Sequence, residues 1–199
     1  MHLRFAGLQA AAQAEALRDI VRGSPLLMAV LTRARTMALN DWSVVSGAIY
    51  NTVWNVLTGR PPNTGIKDVD LFYWDDSDLS YEAEDVVIRR GEEIFADLPV
   101  PVEIRNQARV HLWYEAHFGR PCAPIRSSAE SVGRFASKTH AVSVRLEADD
   151  SFTLHAPFGL DDLFSFRITA NRAMDNQRTH ETKGARAKTI WPEITLEPW

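Results

Sequence analysis

Asp68 and Asp70 stand two residues apart in the run Asp68-Val69-Asp70-Leu71-Phe72-Tyr73, and Glu103 follows in Val102-Glu103-Ile104-Arg105. Alternate residues of a strand project to one face, so the two aspartates share a side while Val69 and Leu71 enter a core. Two adjacent carboxylates repel unless a cation, or a proton shared between them, neutralises the pair. Such hard oxygen ligands suit Mg²⁺ or Mn²⁺, ions that also bind nucleotide phosphates. Glu103, on the next expected strand, is the natural third carboxylate. Two ions about 4 Å apart, bridged by such groups, can activate a hydroxyl and stabilise a departing pyrophosphate without any protein nucleophile. By itself Asp-x-Asp is a weak signal, because acidic residues at strand ends also cap helices and hold loops open.

The informative addition is Ser46-Gly47, where a strand turns into a helix and glycine allows a phosphate close to backbone N–H groups. Asn51 and Asn55 lie one helical turn apart on that helix; both can reach metal-bound phosphate or sugar, or bond nearby backbone and brace the helix. Trp54 reads as core. Lys67 precedes the aspartates, Arg60 sits in the loop before them, and Arg105 shares the face of Glu103. Each can neutralise phosphate or pair with a carboxylate, and Arg105 is the preferred site residue of the three. His111 reads as an ordinary helix residue. Asp75-Asp76-Ser77-Asp78 lacks the glycine and spacing of a calcium loop and reads as a turn capping the next helix. No Gly-x-Ser-x-Gly, Gly-x-x-x-x-Gly-Lys or His-Glu-x-x-His is present, so hydrolase, P-loop and zinc-protease chemistries lack their central parts.

The elements that must position these residues follow from periodicity and punctuation. Ala10–Val21 and Pro25–Met37 read as amphipathic helices separated by Arg22-Gly23-Ser24, with Ser24-Pro25 suited to a cap and first turn. Trp42–Val45 reads as a short buried strand and Ile49–Leu57 as a helix. Gly59–Lys67, with Pro61-Pro62 and Gly65, is a surface loop before the strand at Val69–Tyr73. Ser80–Leu98 carries Ala83, Val87, Gly91, Ile94 and Leu98 on one helical face. Val100–Arg105 alternates like a half-buried strand, and Ala108–Phe118 is helix-like. Further strands are expected at Ala141–Leu146 and Ser151–His155, a helical turn at Leu160–Phe164 and a last helix at Asn176–Thr189.

The chain has 199 residues, 45% of them hydrophobic, which suits one domain spanning residues 1–199 with an N-terminal helical layer to about residue 38 and a C-terminal extension from about residue 140. A net charge of −4 argues against extensive non-specific binding of nucleic acid. A local basic groove stays open, since Arg167, Arg172, Arg178, Lys183, Arg186 and Lys188 gather near the C-terminus, where a solvated helix face accounts for them equally well. Cys122 is the single cysteine, which excludes an internal disulfide and a multi-thiolate zinc site and suits a reducing cytoplasm. The run Leu26–Leu31 is far shorter than a membrane span, and no partnership with a membrane is expected.

Around these residues the chain resembles small bacterial nucleotidyltransferase-like proteins of the DNA polymerase-β-type superfamily. Nearly the whole length is involved: Ser46–Pro61, Lys67–Tyr73, Val102–Gln107, Ala156–Asp162 and Lys183–Pro192. The resemblance implies an α/β (α+β) fold, a mixed β-sheet flanked by helices. It also implies a Gly47 turn against a nucleoside triphosphate, with Asp68, Asp70 and Glu103 holding two divalent ions. Ser46, Gly47, Asn51, Lys67 and Arg105 are then the expected nucleotide-binding residues. The reaction expected is transfer of a nucleoside monophosphate from the triphosphate to a hydroxyl of an acceptor that the fold leaves unspecified. Ala48 departs from the pattern, because the superfamily usually has Gly or Ser there and a serine hydroxyl can bind phosphate. That departure motivates the alternative of a catalytically weakened nucleotide- or protein-binding module on the same fold.

Overall fold

In the computed structural model, which describes residues 1–199, the chain begins with helices α1 (Ala10–Arg22) and α2 (Pro25–Thr36). Ser24 caps α2 by accepting a hydrogen bond from the Leu27 N–H, with Pro25 in the first turn, as the sequence predicts. There follow β1 (Ser43–Val45), α3 (Gly47–Thr58), β2 (Val69–Tyr73), α4 (Tyr81–Ile94), β3 (Val102–Asn106), α5 (Val110–Phe118) and α6 (Ser128–Val132). The chain ends with β4 (Ser143–Leu146), β5 (Phe152–His155), α7 (Asp161–Phe164), β6 (Arg167–Ile168), α8 (Gln177–Ile190) and β7 (Thr195–Leu196). Helix α4 stops at Ile94, four residues before the predicted end at Leu98, and α6, β6 and β7 are additions to the sequence reading.

Five strands form one mixed sheet in the order β3-β2-β1-β4-β5. β2 and β3 are parallel, joined by α4 as a crossover, while β1 pairs antiparallel with both β2 and β4. The alternation in β2 is clean: Val69, Leu71 and Tyr73 are buried, and Asp70 and Phe72 are half-buried on the other face. A cluster of 36 buried apolar side chains runs from Ala16 to Ile194 and includes Trp54, whose indole N–H donates to the Leu163 carbonyl. Trp54 is therefore core, as its neighbours predict. Gly91 lets α4 lie directly on the sheet, because a Cβ there would come within 2.1 Å of Ile104 Cδ1. No helix is long and apolar enough to cross a membrane.

The C-terminal segment is tied back to the loop that precedes β2. Trp191 is buried under that loop, and a Cβ on Gly65, which has φ +75°, would meet its ring at 2.4 Å. The Trp191 indole donates to Asn55 Oδ1, and Asn55 Nδ2 donates to the carbonyls of Pro62 and Thr64. Asn55 thus does the bracing work that was one of its two readings. Arg60 is likewise committed, forming a two-pronged ion pair with Glu193. Deeper in the same segment, His180 Nε2 lies 2.8 Å from the Glu197 carbonyl, so it carries the proton and Nδ1 accepts from the Ser137 hydroxyl at 2.8 Å. These locks fix α8 against the mouth of the sheet.

Candidate active site

Asp70 lies opposite Glu103 in the parallel register of β2 and β3, and Phe72 lies opposite Arg105. All four side chains therefore leave the same face of the sheet. Asp68 precedes β2 and lines the same opening as Asp70. Neither aspartate accepts a hydrogen bond from the chain's own donors. The carboxyl of Asp70 is pushed up to about 6, by burial first and then by Asp68, with Lys183 opposing and Glu103 adding to the rise. A half-buried carboxylate beside a second one, with no donor of its own, is an environment waiting for positive charge.

Opposite the aspartates, β1 turns into α3 at Ser46. The strain sits on that residue and not on Gly47: Ser46 has φ 57° and ψ −114°, a conformation that favours glycine, while its N–H is fixed to the Val142 carbonyl at 2.8 Å. Its carbonyl accepts from the N–H groups of Ile49 and Tyr50, and its side chain does not cap the helix. The N–H groups of Gly47 and Ala48 consequently have no acceptor within the chain. A Cβ on Gly47 would approach only the Tyr50 hydroxyl, at 3.9 Å, so the space in front of this helix start is open. Ala48, by contrast, is 1% exposed and packs in the core. Ser46 and Tyr50 both bring hydroxyls to this opening, so the departure at Ala48 removes little from it.

The opening is a cavity of about 240 Å³ whose walls include Ser46, Gly47, Asn51, Lys67, Lys183 and Arg186 besides the two aspartates. Asn51 lines it and also donates to the Gly65 carbonyl at 3.2 Å, which is the bracing bond that was one of its two readings. Arg186 reaches the same carbonyl, at 3.2 Å. Of the basic residues that gather near the C-terminus, Lys183 and Arg186 of α8 line this opening. Lys183 and Arg186 sit three residues apart on that helix, each followed by a buried small residue, Gly184 and Ala187. Their spacing was the available signal, but only the packing of α8 shows which way it turns. Tyr50 is a further residue the sequence did not single out; burial raises its phenol well above the ordinary range, with Arg186 opposing and both aspartates adding to the rise.

A second cavity, about 420 Å³, meets the first at Ser46, Asp70 and Lys183. Arg105 belongs to this side, whose walls include Phe72, Trp113, Tyr114, Phe118 and Phe135. Glu103 is exposed and lies 3.7 Å from the Arg105 guanidinium. A larger polar cleft elsewhere, between Lys138, Arg167 and Glu197, contains neither aspartate and is spanned by the Arg167–Asp162 ion pair. His111 lines neither of the two joined cavities.

No three His, Cys, Asp or Glu side chains converge into a ready-made metal cluster, so the three carboxylates are neighbours on one face and not a closed cage. That donor set still fits Mg²⁺ or Mn²⁺, because ions of this kind are commonly held by one or two carboxylates, with waters and substrate phosphates completing the shell. Asp68 and Asp70 offer the carboxylates, and the adjoining cavity has room for the phosphates.

The family model described as nucleotidyltransferase matches residues 32–196. A solved structure described as revealing a CCA-adding enzyme head domain superimposes with a TM-score of 0.74 at 24% identity, covering 99% of this chain and 100% of that one. Its likeness is one of fold. A tRNA-processing enzyme in an apo form gives a TM-score of 0.48 at 18% identity, covering 84% of this chain and 44% of that one. No curated protein matches the sequence.

Proposed function

The chain belongs to the nucleotidyltransferase family, and from that premise we propose that it transfers a nucleoside monophosphate from a nucleoside triphosphate to an acceptor hydroxyl, with Mg²⁺ or Mn²⁺. The observation that carries the proposal is the joining of three features at one cavity: two unpartnered aspartates, the free N–H groups at the start of α3, and the cations of α8. Divalent ions held by Asp68, Asp70 and Glu103 would supply charge neutralisation at the phosphates and a lowered pKa at the attacking hydroxyl. The N–H groups of Gly47 and Ala48 take phosphate oxygens, and Lys67, Lys183 and Arg186 offset the charge that builds on the leaving group. The acceptor oxygen forms a bond to the α-phosphorus while the α-phosphorus–oxygen bond to the β-phosphate breaks. Pyrophosphate leaves with that electron pair, and the hydroxyl proton passes to Glu103. The single unpaired Cys122 suits a reducing cytoplasm as the place of work.

Replacing Asp70 by Asn tests the proposal, because the amide keeps the shape and removes the charge. The expected loss of transfer exceeds the roughly 100-fold typical of an outer-shell metal partner, with the near-UV circular dichroism unchanged. Full retained activity would remove the assignment. A second reading, a binding module that has lost efficient transfer, is favoured by the open arrangement of the three carboxylates. Labelled nucleoside triphosphates with Mg²⁺ or Mn²⁺ and cell extract separate the two: the enzyme labels an acceptor, whereas the module binds nucleotide and labels nothing.

A further inference from the structure

The aromatic cavity shares Ser46, Asp70 and Lys183 with the first and extends away from Gly47, Asp68 and Arg186, which line the first alone. Its walls come from β2, from β3 and the helix that follows it, and from the residues after α5. Phosphoryl displacement is in line: the attacking oxygen approaches opposite the departing one. With pyrophosphate held between the start of α3 and the cations of α8, the adjoining cavity that shares Asp70 is the space left for the nucleophile. We propose, building on the transfer reading above, that this cavity is the acceptor site and takes a small hydroxyl compound with a flat aromatic body.

The walls specify that class. Phe72 and Phe135 meet edge to face at 6.0 Å at one side. At the other, Trp113 and Phe118 of α5 remain 39% and 47% exposed although they line the cavity. No residue of α5 is buried, so a helix carrying Trp113, Tyr114 and Phe118 stands over the space without a core of its own. A flat ligand between this helix and the two phenylalanines would cover that apolar surface. The volume lies within the range of small-molecule sites.

Half of the lining residues are polar, and several of these are already engaged. Arg134 is held by Glu130 and by the Ala123 carbonyl. His140 is buried and unmet: it is 3% exposed, its ring stacks on Tyr50 at 4.4 Å, and its Nε2 has no hydrogen-bond partner. A lining imidazole with an unmet hydrogen bond is the natural anchor for a hydroxyl entering beside Asp70. A long nucleic-acid acceptor fits less well on a chain of net charge −4, although Arg105, Arg134 and Lys183 stand in the walls.

Two-dimensional NMR of the full chain tests this with 2-naphthylmethanol and 2-phenylethanol as planar probes, and with myo-inositol and a uridine trinucleotide as contrasts. The protein is first saturated with a nonhydrolysable ATP analogue and Mg²⁺, whose arrival is read at the Gly47 and Ala48 amides. The planar alcohols are expected to shift the Trp113 indole and His140 ring signals without displacing the analogue. Trp113→Ala and Phe118→Ala, both at exposed positions, are expected to weaken naphthylmethanol by about tenfold while leaving the analogue's affinity within about twofold. Displacement of the analogue by naphthylmethanol overturns the proposal and gives the cavity to the nucleobase. Binding of inositol or the trinucleotide in place of the planar alcohols, or no response from any probe, overturns it as well. Loss of the amide response to the analogue with naphthylmethanol still bound overturns the transfer reading, and the acceptor role with it, a result distinct from all of these.

Discussion

Two carboxylates near β3 are handled in opposite ways. Glu84 is 7% exposed and fully matched: the Arg109 guanidinium pairs with one oxygen, and the Asn106 N–H donates to the other at 2.8 Å. Arg109 in turn donates to the Leu79 carbonyl, and the Asn106 side chain closes the loop at Asp75. Asp70 has no such donor, and its nearest carboxylate neighbour raises its pKa further. The first arrangement completes itself and holds α4 to the end of β3. The second is incomplete without something brought from outside. Burial alone does not mark a functional acid; burial without a partner does.

The comparison breaks most visibly at Glu84. Replacing it by Ala leaves the Arg109 charge buried and unpaired, a change that costs about 3–5 kcal/mol. Urea unfolding at pH 7 is expected to show that loss, and a change below about 1 kcal/mol would mean the pair is solvated and the contrast with Asp70 is false.

Asp70→Asn should move stability the other way. The carboxyl is held at about 6 in the fold against an ordinary 3.8, so its ionisation is harder in the folded chain. The stability this group allows is fully present below the unfolded pKa and is lost as pH rises through about 6. Asn behaves as the protonated acid at every pH. In metal-free buffer at pH 8 the variant should therefore be more stable by roughly 1–3 kcal/mol, after allowing for solvent screening, and the gap should close by about pH 4. Mg²⁺ should stabilise the parent chain and leave the variant unmoved. A variant less stable than its parent at pH 8 would show that Asp70 has a structural partner.

Much of this contrast was legible in the sequence, but unevenly. The alternation around Asp68 and Asp70, the turn at Ser46-Gly47 and the strand at Glu103 are local patterns, and local patterns of period 2 or 3.6 survive folding. The helix limits at Ala10 and Pro25 hold for the same reason. What eluded the sequence depends on contacts far along the chain. Glu84 looks like any surface glutamate of an amphipathic helix until Arg109 arrives beside it. Lys183 and Arg186 look like a solvated face until Trp191 and Gly65 fix the seat of α8. Asn55 cannot be told from Asn51 by spacing, yet one braces a loop and the other also faces the cavity. The positive φ at Ser46, beside the glycine that the sequence singled out for its close approach, also has no local signal.

That strain gives the smallest effect and sharpens the contrast once more. Ser80 near Glu84 does what a serine before a helix ordinarily does, accepting a hydrogen bond from the Ala83 N–H. Ser46 caps nothing and sits in a glycine conformation beside Asp70. Ser46→Gly should relieve the strain and stabilise the chain by about 1 kcal/mol, less the entropy that glycine adds to the unfolded state. Ser80→Gly should lose a few tenths of a kcal/mol. Opposite signs in parallel thermal melts, with nucleotide affinity lowered only by the change at Ser46, would show that strain as well as charge is concentrated where the cavities meet. Destabilisation by both substitutions would make Ser46 an ordinary structural serine and leave Asp70 as the sole incomplete element of the site.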